Sequence, residues 1–261
     1  MGKAKEETME KRPVIEVQNI TISYDGRTIL KDVTFTVYKG EVFVILGGSG
    51  CGKSTLLKAL TGLIPVSAGS IYIDGEDFTN STGDERTHFL RKFGILFQSS
   101  GLFASMTLAE NVALPLETYT KLPPERIMDV VEMKLAVVGL KGYEEFLPSE
   151  ISGGMKKRAG LARAMALDPE ILCFDEPSAG LDPITSAALD QLITDLNQTL
   201  NTTMIVVTHE LESIYAIAHR VIMLDKKVKG IIAEGSPHEL KNSDDERIYN
   251  FFNRIADPAT S

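Results

Sequence analysis

A chain of 261 residues with a formal net charge of -9 and two cysteines is long enough for one large α/β domain with a substantial core. The negative balance argues against nucleic acid as the main partner, because binding a phosphate backbone needs a basic face. Two cysteines suit neither a disulfide framework nor a metal cluster, and no apolar run approaches the ~20 residues that span a bilayer. The charged stretch 1–12 lacks the apolar heart of a secretory signal. Glu6 stands where the Met1-Gly2 myristoylation pattern needs Ser or Thr, so any membrane role is expected to come through a partner.

Residues 14–38 read as short β segments with turns at Asp25-Gly26 and Lys39-Gly40. Val42-Phe43-Val44-Ile45-Leu46 is a continuous apolar run, the pattern of a strand covered on both faces. It feeds Gly47-Gly48-Ser49-Gly50-Cys51-Gly52-Lys53-Ser54, and Thr55-Leu56-Leu57-Lys58-Ala59-Leu60 opens a helix. Strand, glycine-rich loop and helix N-terminus in that order make a phosphate cradle. Successive N–H groups converge on an anion, and glycine lets the backbone come close. Lys53 can reach terminal phosphates, and the Ser54 hydroxyl can hold Mg²⁺. The alternative is a flexible glycine loop that fits by accident; strand, helix, Lys and Ser in register argue against it. Cys51 in this loop is either oxidation-sensitive or inert, and Cys173 reads as a small core residue.

Ser70-Ile71-Tyr72-Ile73 and the turn Asp74-Gly75 add another strand to an antiparallel flank. From residue 42 onward, core strands at 42–46, 94–98, 171–175 and 204–208 alternate with helical stretches, which predicts a parallel sheet built from crossover units. Between 99 and 167 strand signals fade, and this part reads as a helical subdomain inserted into the sheet domain. Within it, Pro123-Pro124 suits a helix start, Ile127, Val130, Val131, Leu135 and Val138 form an apolar stripe, and Gly139 ends the helix. Ser152 caps the next helix, through Ala162, and Pro183 begins another that runs to Leu200. The expected organisation is a charged tail over 1–13, a main domain over 14–240 and a C-terminal tail over 241–261. Ile248, Phe251, Phe252 and Ile255 give that tail one apolar helix face, for the chain's own core or for a partner.

Ile171-Leu172-Cys173-Phe174-Asp175-Glu176 is an apolar strand that delivers two carboxylates at its end. Buried charge is costly without a purpose. Here Asp175 would orient Mg²⁺ through its water shell, and Glu176 would polarise an attacking water; the alternative is a pair of exposed turn carboxylates before Pro177. Ser152-Gly153-Gly154 at a helix start forms a second anion site, weak evidence alone.

The phosphate loop, Gln98, Ser152-Gly153-Gly154, the Asp175-Glu176 strand end, Ser178-Ala179-Gly180-Leu181-Asp182 and Thr208-His209 occur in the order found in ATP-binding-cassette (ABC) ATPases, and the chain resembles that family over about residues 14–235. The resemblance implies an α/β P-loop NTPase fold, with a RecA-like parallel sheet core, an N-terminal antiparallel β flank and the inserted helical subdomain. It implies ATP and Mg²⁺ as ligands. Tyr24 resembles the aromatic that stacks on adenine. Gly47, Gly48, Ser49, Gly50, Cys51, Gly52, Lys53, Ser54 and Thr55 resemble the phosphate-binding set. Gln98 is similar to the residue that contacts Mg²⁺ or the attacking water and senses the transporter. Ser152, Gly153 and Gly154 resemble the signature that grips the γ-phosphate of ATP held by the opposite protomer of a head-to-tail homodimer. Asp182 resembles the dimer-interface aspartate, and His209 the switch histidine at the γ-phosphate. Met155 departs from the usual family signature, which has Gln there; a thioether cannot supply the amide hydrogen bonds.

Ser149 to Met155, Phe93 to Phe103, Glu110 to Leu116, Leu181 to Ser186 and Phe251 to Pro258 resemble the ATPases of the Mla group, which serve MCE-type phospholipid transporters. That resemblance implies a motor at the cytoplasmic face of the inner membrane in a Gram-negative-type envelope. Its partners would be an MlaE-like permease, an MlaD-like MCE-domain protein and an MlaB-like STAS protein. The competing expectations are an amino-acid-type ABC importer ATPase, a soluble cassette acting on nucleic acid or ribosomes, and a non-catalytic nucleotide-binding scaffold. The chain has neither the long coiled-coil insertion nor the second cassette that the nucleic-acid and ribosome reading calls for.

Overall fold

The computed structural model describes residues 12–255. The stretch 1–11 and residues 256–261, which hold Ala256 and Asp257 of the Mla-like tail segment, lie outside the described residues.

In chain order, β1 (Pro13–Tyr24) and β2 (Arg27–Tyr38) form a hairpin across Asp25-Gly26, both with positive φ. They are two strands of 12 residues, not a series of short segments. Asn19 and Asp32, polar breaks in the pattern, adopt φ of 51° and 52° where the strand register shifts. They bend the strands as bulges without ending them. β3 (Val42–Gly47), α1 (Lys53–Leu60), β4 (Ala68–Ile73), β5 (Glu76–Asp77), α2 (Gly83–Arg91) and β6 (Phe93–Leu96) follow. Then come α3 (Leu108–Tyr119), α4 (Pro124–Val137), a 3-10 turn at Pro148–Glu150 and α5 (Gly153–Ala164), with no strand among them. The chain closes with β7 (Ile171–Asp175), α6 (Pro183–Leu200), β8 (Thr203–Val207), α7 (Leu211–Ile217), β9 (Arg220–Asp225), β10 (Gly230–Gly235), α8 (Pro237–Leu240) and α9 (Glu246–Phe252).

Two sheets result. The antiparallel one has the order β2-β1-β4-β5. The larger has the order β10-β9-β3-β8-β7-β6, parallel throughout except for β10. Sequence reasoning assigns no strand beyond residue 208, yet β9 lies beside β3 in the sheet interior. Val221-Ile222-Met223-Leu224 is an apolar run like the others, too short to be told from a helix by pattern alone.

The parallel strands are buried on both faces, and their side chains alternate between two cores. Val42, Val44 and Leu46 of β3 join Leu172 and Phe174 of β7 and Met204 and Val206 of β8, under α3, α4, α5, α6 and α7. Phe43 and Ile45 join Ile171, Cys173, Ile205 and Val207, under the antiparallel sheet and α1. Ile248 and Phe252 of α9 are buried in the first of these cores, whereas Ile255 is 49% exposed. The last helix therefore packs on this chain itself, and its apolar face is narrower than the four-residue pattern suggests.

Candidate nucleotide-binding site

Because β6, β7, β3 and β8 run parallel, Gln98, Asp175-Glu176, the glycine loop and Thr208-His209 all emerge along one edge of the sheet. That edge, outside the carboxyl ends of the strands, is where open α/β sheets bind ligands. The loop joins β3 to α1 through Gly47, Gly50 and Gly52, all with positive φ. At Gly47 (φ 145°) a Cβ would strike the Leu224 carbonyl oxygen and lie 2.7 Å from Cys51 Sγ, so no larger residue fits. Gly52 is the N-cap of α1, and no side chain caps that helix; its first N–H groups face the loop.

Lys53 is only 9% exposed, and its ammonium donates to the Gly47 and Gly48 carbonyls at 2.9 and 3.2 Å, which holds it over the loop. Ser54 Oγ donates to Asp175 Oδ1 at 2.8 Å, joining the start of α1 to the end of β7. Gln98 and Asp175 line one groove of about 580 Å³, with Lys58, Ser99 and Gly180. Ser54, Asp175 and Gln98 offer hydroxyl, carboxylate and amide oxygens, the hard donor set that Mg²⁺ takes. Glu176 follows with φ 50°, an uncommon left-handed conformation, and its N–H donates to the Val207 carbonyl at 2.8 Å. Its Oε2 lies 2.7 Å from His209 Nδ1; the Glu176 side chain is 14% exposed and that of His209 is 59% exposed. Tyr24, 44% exposed, ends β1 at the hairpin whose Ile29 and Leu30 pack against Gly52. Cys51 is 2% exposed, and burial, outweighing the nearby Lys53 charge, pushes its thiol up. Of its two readings the structure favours the inert one.

Ser152, Gly153 and Gly154 sit elsewhere. Ser152 caps α5, its Oγ accepting from the Met155 N–H at 3.3 Å. Gly153 and Gly154 face Leu181 and Thr185, beside the start of α6, not the glycine loop of their own chain. A Cβ on Gly154 would drive into the Thr185 methyl. Asp182 caps α6, accepting from the Ile184 and Thr185 N–H groups at 3.1 and 3.0 Å and from Thr185 Oγ1. The Thr185 bonds hold its carboxyl below the usual range. Met155 packs half-buried on the larger core, an apolar use consistent with the loss of the amide.

Two side chains matter here that motif reading passed over. Lys157 is buried, and its ammonium donates to the Gln98 carbonyl at 2.5 Å and to the Glu176 carbonyl at 3.3 Å. The helical spacing of Gly154, Lys157, Gly160 and Leu161 was the available signal, since it puts a lysine on a buried stripe. Asn111, fully buried, bonds the backbone of Phe103, Met106 and Thr107. That loop borders a second groove of about 700 Å³, lined by Leu90, Phe97, Phe103, Tyr119 and Arg163.

The profile of the family described as "ABC transporter" matches residues 30–179. The chain is 42% identical over 245 residues to the intermembrane phospholipid transport system ATP-binding protein MlaF of Haemophilus influenzae, covering 94% of this chain and 92% of that protein. The MlaF of Escherichia coli is 40% identical, with 94% and 90% covered. A probable ribonucleotide transport ATP-binding protein, mkl, of Mycobacterium tuberculosis is 45% identical over 239 residues; the match takes in 92% of this chain but only 66% of that longer protein. Among solved structures, a dimeric post-hydrolysis state of the ATP-binding cassette MJ0796 bound to ADP and Pi superposes with a TM-score of 0.78 at 31% identity, covering 85% of this chain and 98% of that one. The structure of cbiO1 of Clostridium perfringens, part of the ABC transporter complex cbiONQ, superposes with a TM-score of 0.81 at 28% identity, with 94% of this chain and 98% of that one covered.

Proposed function

Since this chain belongs to the ABC transporter family of ATP-binding cassettes, we propose that it is the ATP-hydrolysing motor of a phospholipid transporter and works as a head-to-tail homodimer. The phospholipid assignment draws on likeness to MlaF along nearly the whole of both chains. The observation that carries the dimer is the division of the site. Lys53, Ser54, Asp175, Glu176 and His209 gather at one sheet edge, while Ser152, Gly153 and Gly154 stand beside Leu181 and Thr185. A second copy supplies the missing half in each of two equivalent sites, as a self-complementary two-fold interface requires.

In this reading Lys53 and the loop N–H groups bind the phosphates, and Tyr24 stacks on the base. Ser54, Asp175 and Gln98 hold Mg²⁺, which when bound screens the charge of the terminal phosphates. Glu176 accepts the proton of the attacking water, and its partner His209 fixes the carboxylate and faces the γ-phosphate. Ser152 with the Gly153 and Gly154 backbone closes on the nucleotide of the opposite protomer, next to Asp182. Such chemistry is mostly positioning and charge stabilisation. No helix among the described residues is long and apolar enough to cross a membrane. A permease helix docking in the groove at Phe97, Phe103 and Tyr119 holds the motor at the cytoplasmic face of the inner membrane, with MCE-domain and STAS-domain subunits in the assembly.

Mixing two inactive variants tests the divided site. Lys53→Ala and Gly153→Asp chains, refolded together, regain up to about a quarter of wild-type turnover if each site is shared, because half the dimers are mixed and each mixed dimer has one intact site; dependence of one site on the other lowers that fraction without abolishing it. No recovery would overturn the dimer. Membrane purification followed by mass spectrometry tests the cargo: a permease, an MCE-domain protein and bound phospholipid are expected. A solute permease with a periplasmic binding protein would replace the phospholipid reading by the amino-acid-type importer.

A further inference from the structure

One side chain, Lys157, runs from the helix that carries Ser152, Gly153 and Gly154 to the backbone of both Gln98 and Glu176. α5 begins at the Ser152-Gly153-Gly154 segment, and Lys157 stands one turn further along it. Its side chain runs inward, and the ammonium ends between two backbone carbonyls from different strands' ends, Gln98 beyond β6 at 2.5 Å and Glu176 beyond β7 at 3.3 Å. A buried ammonium is costly unless well partnered. Burial pushes the Lys157 pKa down, and the charges of Asp175, Glu176 and Glu210 oppose that shift. An apolar residue would fill this stripe of the helix without that cost, so the charge and its donors have a use beyond packing. Arg163, further along the same helix, bonds the Ser100 and Gly101 carbonyls beyond β6, but among the described side chains only Lys157 bonds the backbone of both Gln98 and Glu176.

We propose that Lys157 is a positioning residue: it locks the start of α5 to the backbone of Gln98 and Glu176, so that engagement of Ser152 with one nucleotide sets the geometry of cleavage at the other. This rests on the head-to-tail reading above. The side chain touches no substrate; it acts through the two residues whose carbonyls it holds. Because it grips backbone, a rigid movement of α5 is passed to the ends of β6 and β7 together.

The test uses the full chain and ATP itself. Lys157→Met fills similar volume with no donor, and Lys157→Arg restores a charged donor. Expected for Lys157→Met are a KM for ATP within about twofold of wild type, a kcat at least about tenfold lower, and a Hill coefficient reduced to one. Lys157→Arg is expected to recover most of the kcat and the cooperativity. Wild-type kcat and cooperativity in Lys157→Met overturn the proposal; so does a loss that Lys157→Arg leaves unrepaired, which would mark a packing role. If Lys157→Met melts below the assay temperature, Lys157→Gln takes its place against Lys157→Arg with the same two outcomes. Light scattering of Glu176→Gln with ATP separates the two ideas. Failure of that variant to dimerise overturns both the sandwich and the coupling, whereas a dimer alongside an indifferent Lys157→Met overturns the coupling alone.

Discussion

Replacing Asn111 by Ala removes a side chain that is completely buried and makes four hydrogen bonds. Its Oδ1 accepts from the Phe103 N–H at 2.8 Å, and its Nδ2 donates to the carbonyls of Phe103, Met106 and Thr107. Those partners do not suffer equally. The Phe103 carbonyl keeps the Met106 N–H, at 3.2 Å, and the Thr107 carbonyl keeps the Asn111 N–H, at 3.0 Å. The Phe103 N–H and the Met106 carbonyl lose the bonds described for them. Each orphaned group costs about 1–3 kcal/mol, so the substitution destabilises the chain by roughly 2–6 kcal/mol. For a chain of this length the melting midpoint drops about 2–4 °C per kcal/mol, hence by at least ~4 °C. Differential scanning calorimetry reads this directly. Well below the melting range, ATP turnover of the isolated chain is expected to stay at the wild-type level, because Asn111 bonds the groove loop and none of the phosphate-site residues. A midpoint within a degree of wild type would refute the claim that these bonds hold the loop. An unchanged midpoint with altered turnover would place Asn111 in the reaction instead.

Glu176→Gln should keep nucleotide binding while kcat falls about 10²–10⁴-fold, the usual contribution of a positioned general base; single-turnover hydrolysis with labelled ATP measures it, and wild-type turnover sinks the assignment. Gly154→Ala drives a methyl into Thr185 and is expected to destabilise by about 1–3 kcal/mol, read by urea unfolding; an unchanged midpoint would mean α5 and α6 separate freely. Asp190 is buried with Oδ1 unpartnered and Oδ2 accepting from Ser213 Oγ at 2.7 Å; burial raises its carboxyl above the ordinary 3.8, Ser213 opposes that shift, and the Glu210 charge adds to it. The folded chain therefore holds this proton more tightly than the unfolded chain does. Its stabilising contribution is fully present below 3.8 and is lost as pH rises through the higher folded value. Asp190→Asn should remove that decline and unfold at higher urea at neutral pH; a pH profile identical to wild type would count against it.

Much of this protein is legible in its residues in order. Val42 to Ser54 declares strand, glycine loop and helix because each step has a local cause: an apolar run buried on both faces, positive φ that only glycine accepts, and a helix start without a side-chain cap. The strand Ile171–Asp175 and the helix Pro183–Leu200 fall where apolar pattern and proline put them. Local signals failed where long-range pairing decides. Residues 14–38 read as short segments, yet pairing with neighbours carries β1 and β2 past Asn19 and Asp32 as bulges. The run at β9 becomes an interior strand only because β3 offers it an edge. A sequence lists ionisable groups but not their neighbours, and so the Ser54 bond to Asp175, the Glu176 pairing with His209 and the burial of Lys157 against two strand ends come from the tertiary structure. These contacts join residues 19 to 121 positions apart, their distances are set by how the parallel strands and their helices stack, and no local pattern encodes that order.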